Sequence, residues 1–381
     1  MKKIICLVLT LIITSLPFLC SVSATPNNST MNFECTSAIL VEAKSGTVLF
    51  EQNADEALPP ASVTKIMTLL LIMEAVEAGQ ISLDDMVSAS EHACSMGGSQ
   101  IYLEVGEQMG VEDLLKSVVI SSANDAAVAL AEYVAGSEGV FVEMMNKKAE
   151  ELGMKNTHFE NTNGLDDTVE NHLTSARDIA IMSAELLSHK KITEYSSIWM
   201  DTIRNGEFGL TNTNRLVRFY KGANGLKTGS TSKAGFCISA SAERNGMTLI
   251  AVVMAAPTRD IRNNIATSLL DYGFANFSLY ETPAEALEPV KVIGGVKSIC
   301  KVKNEGFCTV VDKKSFSNVR SQVEMSEAVK APVRIGDKVG EVKYFVNDKI
   351  IGQSHIVSTE NIECISYLHI ILKFIAGMSL K

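Results

Sequence analysis

A lysine in the first turn of a helix has the wrong sign for its place. In the stretch PPASVTKIMTLLLIMEAV, residues 59–76, a helix opening near Ser62 puts Lys65 in that turn, where unpaired N–H groups and the macrodipole already concentrate positive charge. Ser62 suits an N-cap, but a capping box wants Glu or Gln three residues later, not a cation. At i, i+3 the two side chains share one face. Buried under Ser62, Lys65 would have its charged form disfavoured by desolvation and by the dipole, and a neutral amine can take a serine proton. The chemistry this points to is nucleophilic catalysis by a Ser-Lys pair.

Ser-x-x-Lys occurs four times, starting at Ser62, Ser188, Ser230 and Ser298, so the spacing alone decides nothing. Ser188 follows the apolar stripe AELL, where lysines suit a helix C-terminus; Ser230 lies in a strand region and Ser298 in a β-rich one. Only Ser62 opens a long apolar helix. Such a site also needs a proton relay, a grip on the substrate and an oxyanion hole. Ser122-Ala123-Asn124 stands at the mouth of the predicted helix NDAAVALAEYVA, and Lys227-Thr228-Gly229 heads the strand leading into AGFCISASAE. Lys227 and Thr228 could bind a carboxylate, while Gly229 would let a ligand's backbone approach the strand edge. Lys44-Ser45-Gly46 mimics this third motif, but it precedes the serine and occupies a hairpin tip.

The elements that must position these residues are legible as patterns. SAILVEAKSGTVLFEQN alternates around a Lys44-Ser45-Gly46 turn and predicts a hairpin. Helical periodicity dominates from Ala61 to about Leu187. Strands return at AGFCISASAE and MTLIAVVMAA, joined by Asn245-Gly246, a pair suited to a tight hairpin turn, and the helical TRDIRNNIATSLLDYGFANF follows. Strands at both ends with helices between predict one α/β domain whose sheet joins the two chain ends. ETPAEALEPV is expected to be a linker, and residues of about 288–361 a small β-rich module with Gly and Asn-Asp turns.

The chain has 381 residues, of which 46% are hydrophobic, enough for a large core plus a smaller domain. Its net charge is −10, which speaks against a nucleic-acid partner. Residues 1–24 have a Lys2-Lys3 start, an apolar run and a Val22-Ser23-Ala24 exit, the features of a signal peptide. Leu19 before Cys20 does not suit lipoprotein processing. The tail, residues 362–381, sets Ser366, His369, Lys373, Gly377 and Lys381 on one polar stripe. Its apolar run is shorter than the roughly 20 residues a bilayer requires, so the expectation is an amphipathic helix lying on a membrane surface. Cys300 and Cys308 could pair across a hairpin, although buried or free thiols are the preferred reading. The six histidines show no His-Glu-x-x-His, and neither a metal nor another cofactor is expected.

Taken together, S-x-x-K, S-x-N and K-T-G in this order belong to the penicillin-recognising serine enzymes. From about Ser37 to Tyr280 the chain resembles the serine D-alanyl-D-alanine carboxypeptidases, the low-molecular-mass penicillin-binding proteins of the peptidase S11 family. The likeness extends through NTHFENTNGL, LTSARDIA, NTNRLVRFYKGANGLKTG and ERNGMTLIAVVMAAPTRDIR. The resemblance implies a β-lactamase/transpeptidase-like domain over 33–280, an antiparallel sheet with a helical cluster, then a β-rich domain over 288–361 and a C-terminal amphipathic anchor. It also implies removal of the terminal D-alanine from peptidoglycan stem peptides, with β-lactams as inhibitors. Ser62 would attack, Lys65 act as base and Ser122 relay a proton. Asn124 would bind substrate backbone, and Lys227, Thr228 and Arg262 would hold the terminal carboxylate. The N–H groups of Ser62 and Ser230 would form the oxyanion hole. Two departures stand out: Ala123 fills the variable middle of the second motif, and Ser230 replaces a larger residue common in relatives, which leaves substrate preference open. A serine β-lactamase shares the motifs, but no Glu-x-x-x-Asn segment in the right setting accompanies them; a non-catalytic penicillin-recognising protein of the same fold is the other alternative.

Overall fold

The computed structural model describes residues 31–367 together with 369 and 371. The expected signal peptide, 1–24, and most of the expected anchor, 362–381, lie outside the described residues. Near the start, β1 (Ser37–Glu42) and β2 (Val48–Gln52) form the expected hairpin. Its Lys44-Ser45-Gly46 tip is a turn, in which the Glu42 carboxylate accepts from the Ser45 amide at 2.7 Å and Gly46 takes φ 67°.

Helix α1 (Lys65–Glu77) is buried on nearly every side, from Lys65 through Met73. A helix apolar all round belongs at the centre of a core, and this one anchors the helical cluster with α2 (Asn124–Ala135) and α3 (Ala176–Ser188). Strands β3 (Ala223–Thr231), β4 (Gly235–Arg244) and β5 (Met247–Ala256) follow, then α4 (Arg259–Asn276). They complete an antiparallel sheet of order β2-β1-β5-β4-β3. The two ends of the domain meet at β1 and β5, as the pattern predicts.

Strand alternation divides the core between two faces. Ile250, Val252 and Met254 point into the helical cluster, while Leu249, Ala251 and Val253 pack under α4 with Ile265, Leu269 and Phe274. Because both faces are covered, β5 reads as an unbroken apolar run. The β4–β5 turn has Asn245 and Gly246 at φ 53° and 77°, the positive angles that a two-residue turn demands.

The expected linker ETPAEALEPV is not one. Its first residues end β6 (Phe277–Thr282) and its last lie in β7 (Ala286–Ile293), which leaves only 283–285 between strands. Pro289 is tolerated because it sits where the β7 register shifts, between Leu287 and Val290, a bulge that needs no donor from it. The module continues with β8 (Ile299–Asn304), β9 (Phe307–Asp312), β10 (Val319–Met325), β11 (Ala328–Lys330), β12 (Lys338–Val346) and β13 (Lys349–Ser358). Six of these strands form a second sheet of order β10-β12-β13-β8-β7-β11, whereas β9 pairs with β6 and so stitches the module to the first domain.

This topology also removes the suggested Cys300–Cys308 bridge. Cys300 is on β8 and Cys308 on β9, in different sheets, and all six described cysteines are free thiols. Ile362 and Cys364 form β-bridges with Val333 and Gly295, so the chain is still pinned to the module there. Among the described residues no helix is long and apolar enough to cross a membrane.

Candidate active site

Ser62 lies in a tight turn, residues Ala61–Thr64, that runs directly into α1. Ala61 holds φ 48°. The turn is clamped from outside: Gly164, at φ 85°, approaches so closely that a Cβ there would lie 1.9 Å from the Ala61 carbonyl oxygen. Behind it, burial lowers the pKa of His172 to about 4 and keeps the ring neutral. Its Nδ1 accepts from the Glu160 amide at 3.0 Å, so the proton resides on Nε2, which donates to Thr64 Oγ1 at 2.7 Å. Thr64 in turn donates to the Ala61 carbonyl at 2.9 Å.

Lys65 is fully buried, and its Nζ meets three oxygens: Ser62 Oγ at 2.9 Å, Asn124 Oδ1 at 2.6 Å and the Asn163 carbonyl at 2.7 Å. Burial, then the nearby charge of Lys227, holds its pKa well below the usual lysine value, with Asp125 opposing. A neutral amine has two N–H bonds and one lone pair. Two of its neighbours, Asn124 Oδ1 and the Asn163 carbonyl, can only accept. In that neutral form they take both N–H bonds, which leaves the lone pair for the Ser62 hydroxyl. The Asn124 amide is oriented by its own Nδ2, which donates to the Gly97 carbonyl at 2.7 Å.

Asn124 begins α2, and Ser122 precedes it in a left-handed conformation, φ 65° and ψ 30°, after a π-turn over Ser117–Ser121. The Ser122 hydroxyl is buried and has no hydrogen-bond partner among the described residues. A polar atom kept in that condition costs about 1–3 kcal/mol and is a group available to a reaction. Asp125 pins the neighbouring loop by accepting from the amides of Ile101 and Leu103, each at 3.1 Å in its shortest contact.

The opposite wall is β3. Gly229 faces the nucleophile's turn, where a Cβ would lie 2.8 Å from the Ser62 nitrogen and 2.9 Å from the Pro60 oxygen. The glycine therefore permits the strand to press against the serine's backbone. Lys227 is buried, its Nζ donating among the described residues only to the Thr228 carbonyl, at 3.1 Å. Burial and then the Arg262 charge lower its pKa to about 7. Thr228 Oγ1 donates to Thr213 Oγ1 at 2.8 Å, and Ser230 is exposed on the same strand. Arg262 is on α4, behind the sheet: Nη1 donates to the Cys237 carbonyl at 3.3 Å, and Nη2 to Asn263. Cys237 pairs with Gly229 across β4 and β3. Arg262 thus bonds to the residue paired with Gly229, one strand away from it.

Sequence reading missed Asn163, His172 as a clamp, and Thr213. Asn163 and Gly164 do carry a signal, since Asn-x-Asn-Gly announces a turn with positive φ, but a backbone carbonyl as lysine acceptor has no residue signature.

Residues 23–258 match the D-alanyl-D-alanine carboxypeptidase family, and residues 274–364 match the C-terminal domain of penicillin-binding protein 5. The chain belongs to the D-alanyl-D-alanine carboxypeptidase family. Its relatives include DacF of Bacillus subtilis, 42% identical over 88% of this chain and 87% of that protein, and DacC of Escherichia coli, 36% identical over 85% and 83%. Among solved structures, penicillin-binding protein 5 of Haemophilus influenzae superposes with a TM-score of 0.80 at 32% identity, covering 88% of this chain and 99% of that one. A family of serine hydrolases with a transpeptidase-like domain followed by a β-rich one accounts for both sheets. The β-lactamase and non-catalytic alternatives are not favoured by these relatives.

Proposed function

We propose that this carboxypeptidase removes the terminal D-alanine of peptidoglycan stem pentapeptides through an acyl-enzyme on Ser62. The arrangement around Lys65 Nζ carries the reading, with two obligate acceptors and one serine hydroxyl. In the first step, the Ser62 oxygen bonds to the carbonyl carbon of the penultimate D-alanine while its proton passes to Lys65. The resulting oxyanion would be held by the backbone N–H groups of Ser62 and Ser230. Collapse breaks the peptide bond, and the leaving amine collects a proton through Ser122. Water then attacks the ester, returning its proton by the same route, and regenerates Ser62. Lys227 and Thr228 would hold the terminal carboxylate with Arg262, whose charge also acts on Lys227, as a helper, and Asn124 would contact the substrate's backbone. The relative solved in an ampicillin-bound form, penicillin-binding protein D2 of Listeria monocytogenes, supports β-lactams as acylating inhibitors here.

The reading extends to location: export by residues 1–24 and attachment of the tail, residues 362–381, to the outer face of the cytoplasmic membrane. Since Ile362 and Cys364 are paired into the module, truncation after Ile365 is the clean test of attachment; a truncated protein still found on membranes would refute it.

For the chemistry, the decisive measurement is mass spectrometry of the penicillin adduct with D-alanine release from a pentapeptide. The expected result is one adduct on Ser62, absent in Ser62→Ala together with D-alanine release. An adduct elsewhere, or penicillin turnover without D-alanine release, would overturn the assignment.

A further inference from the structure

Glu74 is on the buried central helix α1, about two and a half turns beyond Lys65, towards the end of the helix away from the serine. One oxygen of its carboxylate, one of Glu185 on α3 and a ring nitrogen of His189 lie within 4.8 Å of one another. His189 follows the last residue of α3. Its side chain is only 11% exposed, and its Nδ1 is 2.9 Å from the Glu77 carboxylate. With Nδ1 taken, Nε2 is the nitrogen left, and it is buried with no hydrogen-bond partner among the described residues.

We propose that Glu74, Glu185 and His189 form a site for a first-row divalent cation of the Zn²⁺ type. Imidazole nitrogen with two carboxylate oxygens is a donor set suited to such an ion, with water completing four-fold coordination. A carboxylate on the far nitrogen of the imidazole is the outer-shell arrangement that orients a ligating histidine, and Glu77 supplies it. Two carboxylates this close repel unless a cation lies between or beside them. Lys148 is the competitor: its Nζ is 2.9 Å from Glu74 Oε1 and 3.3 Å from Glu151. It neutralises one Glu74 oxygen but offers only donors, so it leaves the Glu185 carboxylate and the His189 lone pair to the ion. The ion would tie the end of α1 to the end of α3 and would act on stability, not on the reaction. No His-Glu-x-x-His motif encodes this site, because one ligand comes from a different helix.

The test uses the full chain, stripped with chelator and then freed of it, titrated with Zn²⁺ and separately with Co²⁺. One equivalent should bind saturably and raise Tm, since an ion that binds only the folded state stabilises it. The Co²⁺ complex should lack a thiolate charge-transfer band, which excludes the free cysteines. His189→Ala should abolish binding, Glu185→Gln should weaken it at least tenfold, and Glu77→Gln should weaken it by about 10–100-fold as an outer-shell partner. All three variants should still be acylated by labelled penicillin, which reports an intact fold. Absence of saturable binding, a thiolate band, or binding unchanged in His189→Ala and Glu185→Gln would each overturn the proposal.

Discussion

Two buried lysines line the two walls of one site, and they differ in the partners each nitrogen has. On the helical wall, Lys65 is saturated with fixed partners: two carbonyl oxygens and a hydroxyl. On the sheet wall, Lys227 has a single backbone carbonyl and two donors left over. Both are depressed from the ordinary lysine range, chiefly by burial. The difference lies in what would satisfy each nitrogen. Lys65 is complete when neutral, whereas Lys227 is complete only when an anion arrives. Residue type and burial are shared, so partner geometry alone separates the two nitrogens that the proposed reaction uses as base and as carboxylate clamp.

Lys65→Arg should break this comparison most severely. Arginine stays protonated and cannot serve as base, so acylation by labelled penicillin should fall by about 10²–10⁴-fold, the range of a lost general base. A rate near that of the unaltered protein would show that the helical wall does not depend on a neutral amine. Lys227→Ala should act on binding instead. Losing a charge-assisted hydrogen bond costs about 1.5–3 kcal/mol, or roughly 10–100-fold in kcat/KM, expected mainly in KM for a pentapeptide with a free carboxyl end. A variant that lost kcat with KM unchanged would place Lys227 in the chemical step.

Gly229→Ala probes the distance between the walls. Its Cβ would press on backbone atoms of Ser62 and Pro60 that cannot move aside, so a loss of about 1–3 kcal/mol in stability is expected from overpacking, read as a lower Tm with slower acylation. Unchanged values for both would mean that the strand does not brace the serine. The smallest effect concerns pH. The free-enzyme pKa of Lys227 is lowered to about 7, and rising pH removes its charge. KM for the peptide should therefore climb above pH 7, approaching tenfold per unit at most. A bound carboxylate favours the protonated form, so the alkaline limb of kcat should lie at higher pH than that of kcat/KM. On the acid side, falling pH protonates Lys65 and should lower acylation. A KM flat from pH 6 to 9 would contradict the depressed Lys227.

Much of the site was legible because its chemistry is local. Ser62 and Lys65 share a turn, Ser122 and Asn124 flank one helix start, and Lys227 to Gly229 are consecutive; short-range spacing records such contacts. What was misread is of another kind. ETPAEALEPV looks like a linker because proline opposes strands, yet a bulge absorbs Pro289. Cys300 and Cys308, by contrast, are the free thiols expected, since β8 and β9 join different sheets.

By itself the order of residues determined which groups could react and which segments would be helix or strand, since side-chain type and periodicity of 2 or 3.6 are properties of the chain alone. Only the tertiary structure decided the burial that depresses the pKa of Lys65, the closeness of Gly229 to Ser62, the Asn163 carbonyl's part and the meeting of Glu74 with His189. These rest on residues far apart in sequence brought to 4.8 Å or less, and at such distances burial and partner geometry, not identity, set where protons and charges reside.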